Sequence, residues 1–103
     1  MMEIGLAAVP NQSLSVQLDG RFYEIEIKDA GGVMAATITR DGETVISGVR
    51  ITAGSPLLPY PYQEAGNFAL VTDDDALPYW DQFGVTQFLV YVSDAELADF
   101  RGE

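Results

Sequence analysis

The chain has 103 residues, sixteen Asp and Glu against five Lys and Arg for a formal net charge of -11, 48% hydrophobic residues, and neither histidine nor cysteine. That length fits one domain over residues 1–103 with a single core, and the composition is that of a globular chain rather than a disordered one. The acidity argues against nucleic acid and anionic membrane as partners, since surfaces that bind phosphate are basic, and the absent residues exclude disulfides, thiol nucleophiles, histidine triads and sites ligated by Cys or His.

The opening MMEIGLAAVP lacks a basic flank, and its apolar run of about six residues is below the roughly 7–15 of a signal peptide, so an untargeted chain made in the cytoplasm is expected. From Leu14 the pattern has period two. Leu14, Val16 and Leu18 alternate with polar neighbours, Asp19-Gly20 interrupts, and Tyr23, Ile25 and Ile27 then alternate with Phe22, Glu24, Glu26 and Lys28. A two-residue Asp-Gly loop is a strong hairpin signal, because its central positions need positive φ. Placing the loop there sets Leu18 opposite Arg21, Val16 opposite Tyr23 and Leu14 opposite Ile25, so that apolar side chains meet on one face.

Asp29-Ala30-Gly31-Gly32 reads as a turn. A second hairpin follows around Asp41-Gly42, joining Val33–Thr39 to Thr44–Ile51. Its simplest register sets Ile38 opposite Val45 and Ala36 opposite Ser47, with Val49 and Ile51 continuing that face. Residues 14–51 thus predict a four-strand meander. From Thr52 to about Ala65, Gly54, Pro56, Pro59 and Pro61 bar a central strand or a helix interior and favour a stiff polyproline-II path. A fifth strand is expected over Asn67–Thr72 and a sixth over Val85–Val92, the latter apolar on both faces except at Gln87 and therefore buried on both. Ser93 can cap a helical turn over Asp94–Phe100, with Glu96 completing a capping box. The fold expected is all-β: a small antiparallel β-sandwich or partly open barrel of about six strands, with a short C-terminal helical turn.

Candidate chemistry is sparse. Ser13, Ser15, Ser47, Ser55 and Ser93 have no activating base, and Lys28 stands outside any Ser-Lys or phosphate-binding motif. Glu24 and Glu26 lie about 6.6 Å apart along one strand face, a spacing that overlaps a glycosidase pair, but every Glu-x-Glu strand has it and a solvated face explains it. Asp73-Asp74-Asp75 lacks the alternating spacing of a calcium loop and reads as a polar turn. Pro56-Leu57-Leu58-Pro59 matches PxxP without a flanking basic residue. No catalytic, cofactor or metal residue is assigned. Tyr60, Tyr62, Tyr79 and Trp80 have the profile of interface anchors and equally that of core-capping rings. The carboxylates are uneven: residues 64–103 hold nine with one arginine, and residues 1–63 hold seven with four bases, so an acidic face would call for a basic partner.

Ile4-Gly5-Leu6, Pro10-Asn11-Gln12-Ser13, Leu18-Asp19-Gly20 followed by Tyr23, Asp41-Gly42 leading to Gly48, Gly54 with Pro56-Leu57-Leu58, and Phe88-Leu89-Val90-Tyr91-Val92 occur in an order and spacing that resembles the phage baseplate plug proteins, small components of contractile tails. The resemblance runs from about Ile4 to Leu97. It departs at Gly5, where proline is frequent in that family, in the Val33-Met34-Ala35 run, where an aromatic is frequent, and in the high acidity. It implies a non-catalytic virion protein in the tail baseplate. Such a protein packs around the hub and tube against other tail subunits, as a homo-oligomer in the assembled tail. In that setting Pro56, Leu57, Leu58, Tyr60, Tyr62, Tyr79 and Trp80 are expected to form the interface. A carbohydrate-binding β-sandwich using the loop aromatics is the alternative from another class.

Overall fold

A computed structural model describes residues 2–54, 56–58, 66–73 and 76–101. Its described strands are β1 (Met2–Ile4), β2 (Gln12–Leu18), β3 (Arg21–Asp29), β4 (Met34–Arg40), β5 (Glu43–Arg50), β6 (Asn67–Val71) and β7 (Phe88–Val92), followed by helix α1 (Asp94–Arg101). Strands β2-β3-β4-β5 form one antiparallel sheet in chain order, and β1-β7-β6 form a second. The architecture is a sandwich of two separate sheets rather than a barrel.

The first hairpin adopts the expected register, with Leu18 opposite Arg21, Val16 opposite Tyr23 and Leu14 opposite Ile25. Asp19 (φ 50°) and Gly20 (φ 77°) are both left-handed, the backbone twist that matches two antiparallel strands. Tyr23, Ile25 and Ile27 consequently face inward while Phe22, Glu24, Glu26 and Lys28 face solvent.

The second hairpin corrects the sequence reading. Arg40 pairs with Glu43 and Thr39 with Thr44, but Ile38 then meets Ile46 instead of Val45, and Ala36 meets Val49 instead of Ser47. Two irregularities each insert one residue into β5. Gly48 takes φ 62° and donates its N–H to Thr37 Oγ1 at 2.9 Å. The physical reason lies in the segment Val-Ile-Ser-Gly-Val, whose apolar residues do not alternate. Bulging at two places turns Ser47 out and brings Ile46 and Val49 onto the core side.

Two further corrections concern the other sheet. Met2–Ile4, to which the sequence pattern assigned no strand, forms an added strand on β7, with Ile4 opposite Leu89 and buried. The last strand starts at Phe88 rather than Val85. Residues 84–86 form a tight turn in which the N–H groups of Val85, Thr86 and Gln87 converge on the Gln82 carbonyl at 3.0, 3.1 and 3.1 Å.

The core lies between the sheets. Tyr23 from β3 packs edge-on to Phe68 from β6 at 5.2 Å and 78°, and Tyr91 from β7 stands 5.3 Å from Phe68 and 6.2 Å from Tyr23. Edge-to-face packing adds about 0.5–1.5 kcal/mol per pair beyond burial. Met34, Ile38, Ile46 and Ile51 from the meander and Leu70, Leu89, Leu57 and Leu58 complete the same cluster. At the chain end, Glu96 N–H donates to Ser93 Oγ at 3.3 Å and Ser93 N–H to Glu96 Oε1 at 3.1 Å, the reciprocal cap expected for α1.

Candidate interaction surface

The residues singled out as an interface fall into three structural groups. Pro56, Leu57 and Leu58 lie along the free side of β6. There Gly54 N–H donates to the Leu70 carbonyl at 2.9 Å and Leu57 N–H to the Phe68 carbonyl at 2.8 Å, while Pro56 bridges Ala69. Asn67, itself 2% exposed, completes the attachment: its Oδ1 accepts the Leu58 N–H at 3.0 Å and its Nδ2 donates to the Leu58 carbonyl at 3.0 Å. A side-chain amide has the donor and acceptor of a peptide unit, so Asn67 continues the ladder where the backbone diverges. Only Pro56 of the three is exposed. Leu57 (2%) and Leu58 (1%) are core residues, so in this fold they anchor the segment and present no side chain to a partner.

This segment also protects the sheet. An uncovered β6 would offer a row of unpaired N–H and C=O groups, and a proline-bearing cover satisfies the inner ones while supplying few donors outward.

Tyr79 and Trp80 form the second group. Their rings stack at 5.6 Å with a 38° tilt, both are half-buried, and both pack against the core. What holds them is Gln87, the polar interruption in the final apolar run. Buried to 2% exposure, its Oε1 accepts the Tyr79 N–H at 2.9 Å and its Nε2 donates to the Leu77 carbonyl at 3.0 Å. Phe83 N–H closes a 3-10 turn (Trp80–Gln82) on the Trp80 carbonyl at 3.2 Å, and Thr86 Oγ1 donates to Gln82 Oε1 at 3.0 Å. Residues 77–87 are therefore cross-braced, and they display Leu77 and Val85 at 56% and 66% exposure. Sequence reasoning missed both. A lone Gln in an apolar strand was the available signal, since a buried amide needs partners and the adjacent loop is the nearest source of them.

The third group, Tyr60 and Tyr62, lies outside the described residues, as do Asp74 and Asp75 of the acidic run.

The remaining polar features have structural explanations. Glu24 and Glu26 lie on the outer face of the meander beside an open depression of about 240 Å³ lined with Ser13, Ser15, Thr37 and Thr39, and Lys28 Nζ sits 3.3 Å from Glu26 Oε1 on the same face. A shallow polar face of this kind has no walls to hold a sugar ring between two carboxylates, and a solvated strand face accounts for the pair. Among the described residues no three carboxylates converge as a metal site. Tyr91 Oη donates to Asp19 Oδ2 at 2.7 Å, tying β7 to the tip of the first hairpin. Burial first, and then that hydrogen bond, push the phenol's pKa far above its ordinary value. Gly66 (φ 89°) lies so close beneath the Tyr91 ring that any Cβ there would overlap it, and its N–H donates to Asp94 Oδ1 at 2.8 Å.

The sandwich thus displays a braced loop of exposed apolar side chains, and its Glu24–Glu26 face is open. Comparison with known families agrees with the resemblance seen in the sequence. The model of the family described as cyanophage baseplate Pam3 plug gp18 matches residues 1–95. The chain belongs to that baseplate plug family. The match takes in every described strand and ends two residues into α1. No curated protein matches the chain. Plug-family membership makes it a phage tail baseplate protein of mostly β structure.

Proposed function

We propose that the chain is a non-catalytic structural subunit of a contractile tail baseplate. It packs around the central hub or tube and braces or plugs it through contacts with neighbouring tail proteins. Family membership across residues 1–95 carries this reading. The surface is consistent with it in two ways. Leu77 and Val85 stand exposed on a loop whose backbone is already fixed by Gln87 and Gln82, so little ordering entropy is lost when a partner covers them. Pro56 stands exposed on a segment pinned to β6, where Leu57 and Leu58 serve as the anchor, and Tyr60 and Tyr62 follow that segment in the sequence. The net charge of -11 favours a basic neighbouring surface. Stacking on sugar rings needs open aromatic faces, whereas Tyr79 and Trp80 are half-buried against the core and each other, so among the described residues no observation favours carbohydrate binding.

The test is incorporation into tails. Leu77→Ser with Val85→Ser, and separately Tyr60→Ser with Tyr62→Ser, should leave the isolated chain folded by circular dichroism yet reduce its amount in purified tails at least severalfold. Normal incorporation of both double variants would contradict the docking surface.

A further inference from the structure

The sandwich has four sheet edges, and three are blunted. That of β6 is covered by Ala53, Gly54, Pro56 and Leu57, β5 is interrupted by two bulges and ends in charged residues, and β1 is only three residues long with Glu3 at its centre. The edge of β2 is different. It runs seven residues, Gln12–Leu18, without bulge, proline or any charged side chain, and among the described residues it pairs with β3 alone. A long regular edge left open in this way is the ordinary template for pairing with another strand.

The direction of its bonding groups follows from the neighbouring strand. Phe22 N–H donates to Asp41 Oδ1 at 2.9 Å and the Phe22 carbonyl accepts from Asp41 N–H at 2.8 Å, so the Phe22 backbone faces the β4 side. In an antiparallel ladder such residues alternate, and the residue opposite Phe22 must turn its own groups away from β3. That residue is Gln17. By the same alternation Ser15 and Ser13, opposite Glu24 and Glu26, also present N–H and C=O to the open edge.

We propose that two copies of this chain pair antiparallel along β2, with Ser15 at the twofold axis, joining their meanders into one continuous sheet. Three observations select a second copy as the occupant. The run Ser13-Leu14-Ser15-Val16-Gln17 has the same polar and apolar pattern in both directions, so the twofold register sets Ser15 opposite itself, Ser13 opposite Gln17, and Leu14 opposite Val16 on the inner face. Leu14 and Val16 are only half-buried in the single chain and gain cover from the added strand. Finally, two molecules at -11 repel, and β2 is the open edge on which no strand residue carries a charge. This pairing needs only the chain itself, and its test is independent of the tail-docking reading.

Because the chain has no cysteine, single introduced thiols report the register directly. Residues paired in the bonded positions of a ladder have Cα atoms about 5.5 Å apart, within disulfide reach, whereas Ser13 and its twofold mate would be about 14 Å apart. Under mild oxidation Ser15→Cys should form a covalent dimer at least tenfold faster than Ser13→Cys or Gln17→Cys alone, and the last two should cross-link to each other when mixed. Sedimentation of the unmodified chain should show a dimer fraction that rises with protein concentration and with added salt, as screening weakens the mutual repulsion. Ser15→Pro, which removes an outward N–H and no internal one, should lower that fraction. Equal cross-linking rates for the three single variants, or a monomer at all concentrations and salt levels, would overturn the proposal.

Discussion

The two sheets of this sandwich are made in opposite ways. The meander β2-β3-β4-β5 is built from consecutive segments, each strand pairing with the next across a short turn, and its outer face is solvated. The sheet β1-β7-β6 gathers residues 2–4, 67–71 and 88–92 from the beginning and end of the chain, and its free side is closed by Ala53, Gly54, Pro56 and Leu57. Local pairing is fixed by turn chemistry and alternation. The second sheet joins segments far apart in sequence, and it meets the first through buried contacts at the seam such as Phe68 against Tyr23.

That difference can be broken at its strongest point first. Phe68 lies between Tyr23 of one sheet and Tyr91 of the other, and Phe68→Ala should cost about 3–5 kcal/mol in urea unfolding, since it removes a fully buried ring and leaves a cavity. A loss below about 1 kcal/mol would mean that the sheets are not coupled there. Asn67→Ala comes next. It strands the N–H and C=O of Leu58 in a buried site, at about 1–3 kcal/mol per unpartnered group, and should speed amide exchange at Leu57 and Leu58 while leaving the β2–β3 ladder protected. Uniform acceleration in both sheets would erase the contrast between them.

The smallest effect sharpens the comparison by pH. The Tyr91 phenol, raised by burial and by its bond to Asp19, favours the folded state fully below the ordinary phenol value of 10.0, and that contribution is lost as pH rises above it, because the unfolded chain ionises first. Tyr91→Phe should cost about 1 kcal/mol at neutral pH by loss of one hydrogen bond. It should also flatten the alkaline decline in stability seen for the unmodified chain. An unchanged alkaline limb would place the pH dependence elsewhere.

What could be seen in the residues beforehand follows the same division. The first hairpin was legible down to its register because Asp19-Gly20 and the alternation of Leu14 to Ile27 point to one answer. The second was legible in its turn and not in its register: Val45, Ile46 and Val49 do not alternate, and the bulges that reconcile them are decided by packing against β4 and the opposite sheet. Met2–Ile4 carried no strand signal of its own, since three residues become a strand only where β7 offers an edge. The candidate surface was half legible. The aromatics and prolines stood out by composition, but that Leu57 and Leu58 turn inward depends on Asn67, nine residues away from Leu58, and the display of Leu77 and Val85 depends on Gln87.

The central claim, that this chain acts as a built-in part of a tail baseplate, is tested most directly by quantitative mass spectrometry of purified tails. The account expects the chain in fixed proportion to the other baseplate proteins after stringent washing. Recovery only in the soluble lysate, with none in the particles, would contradict it.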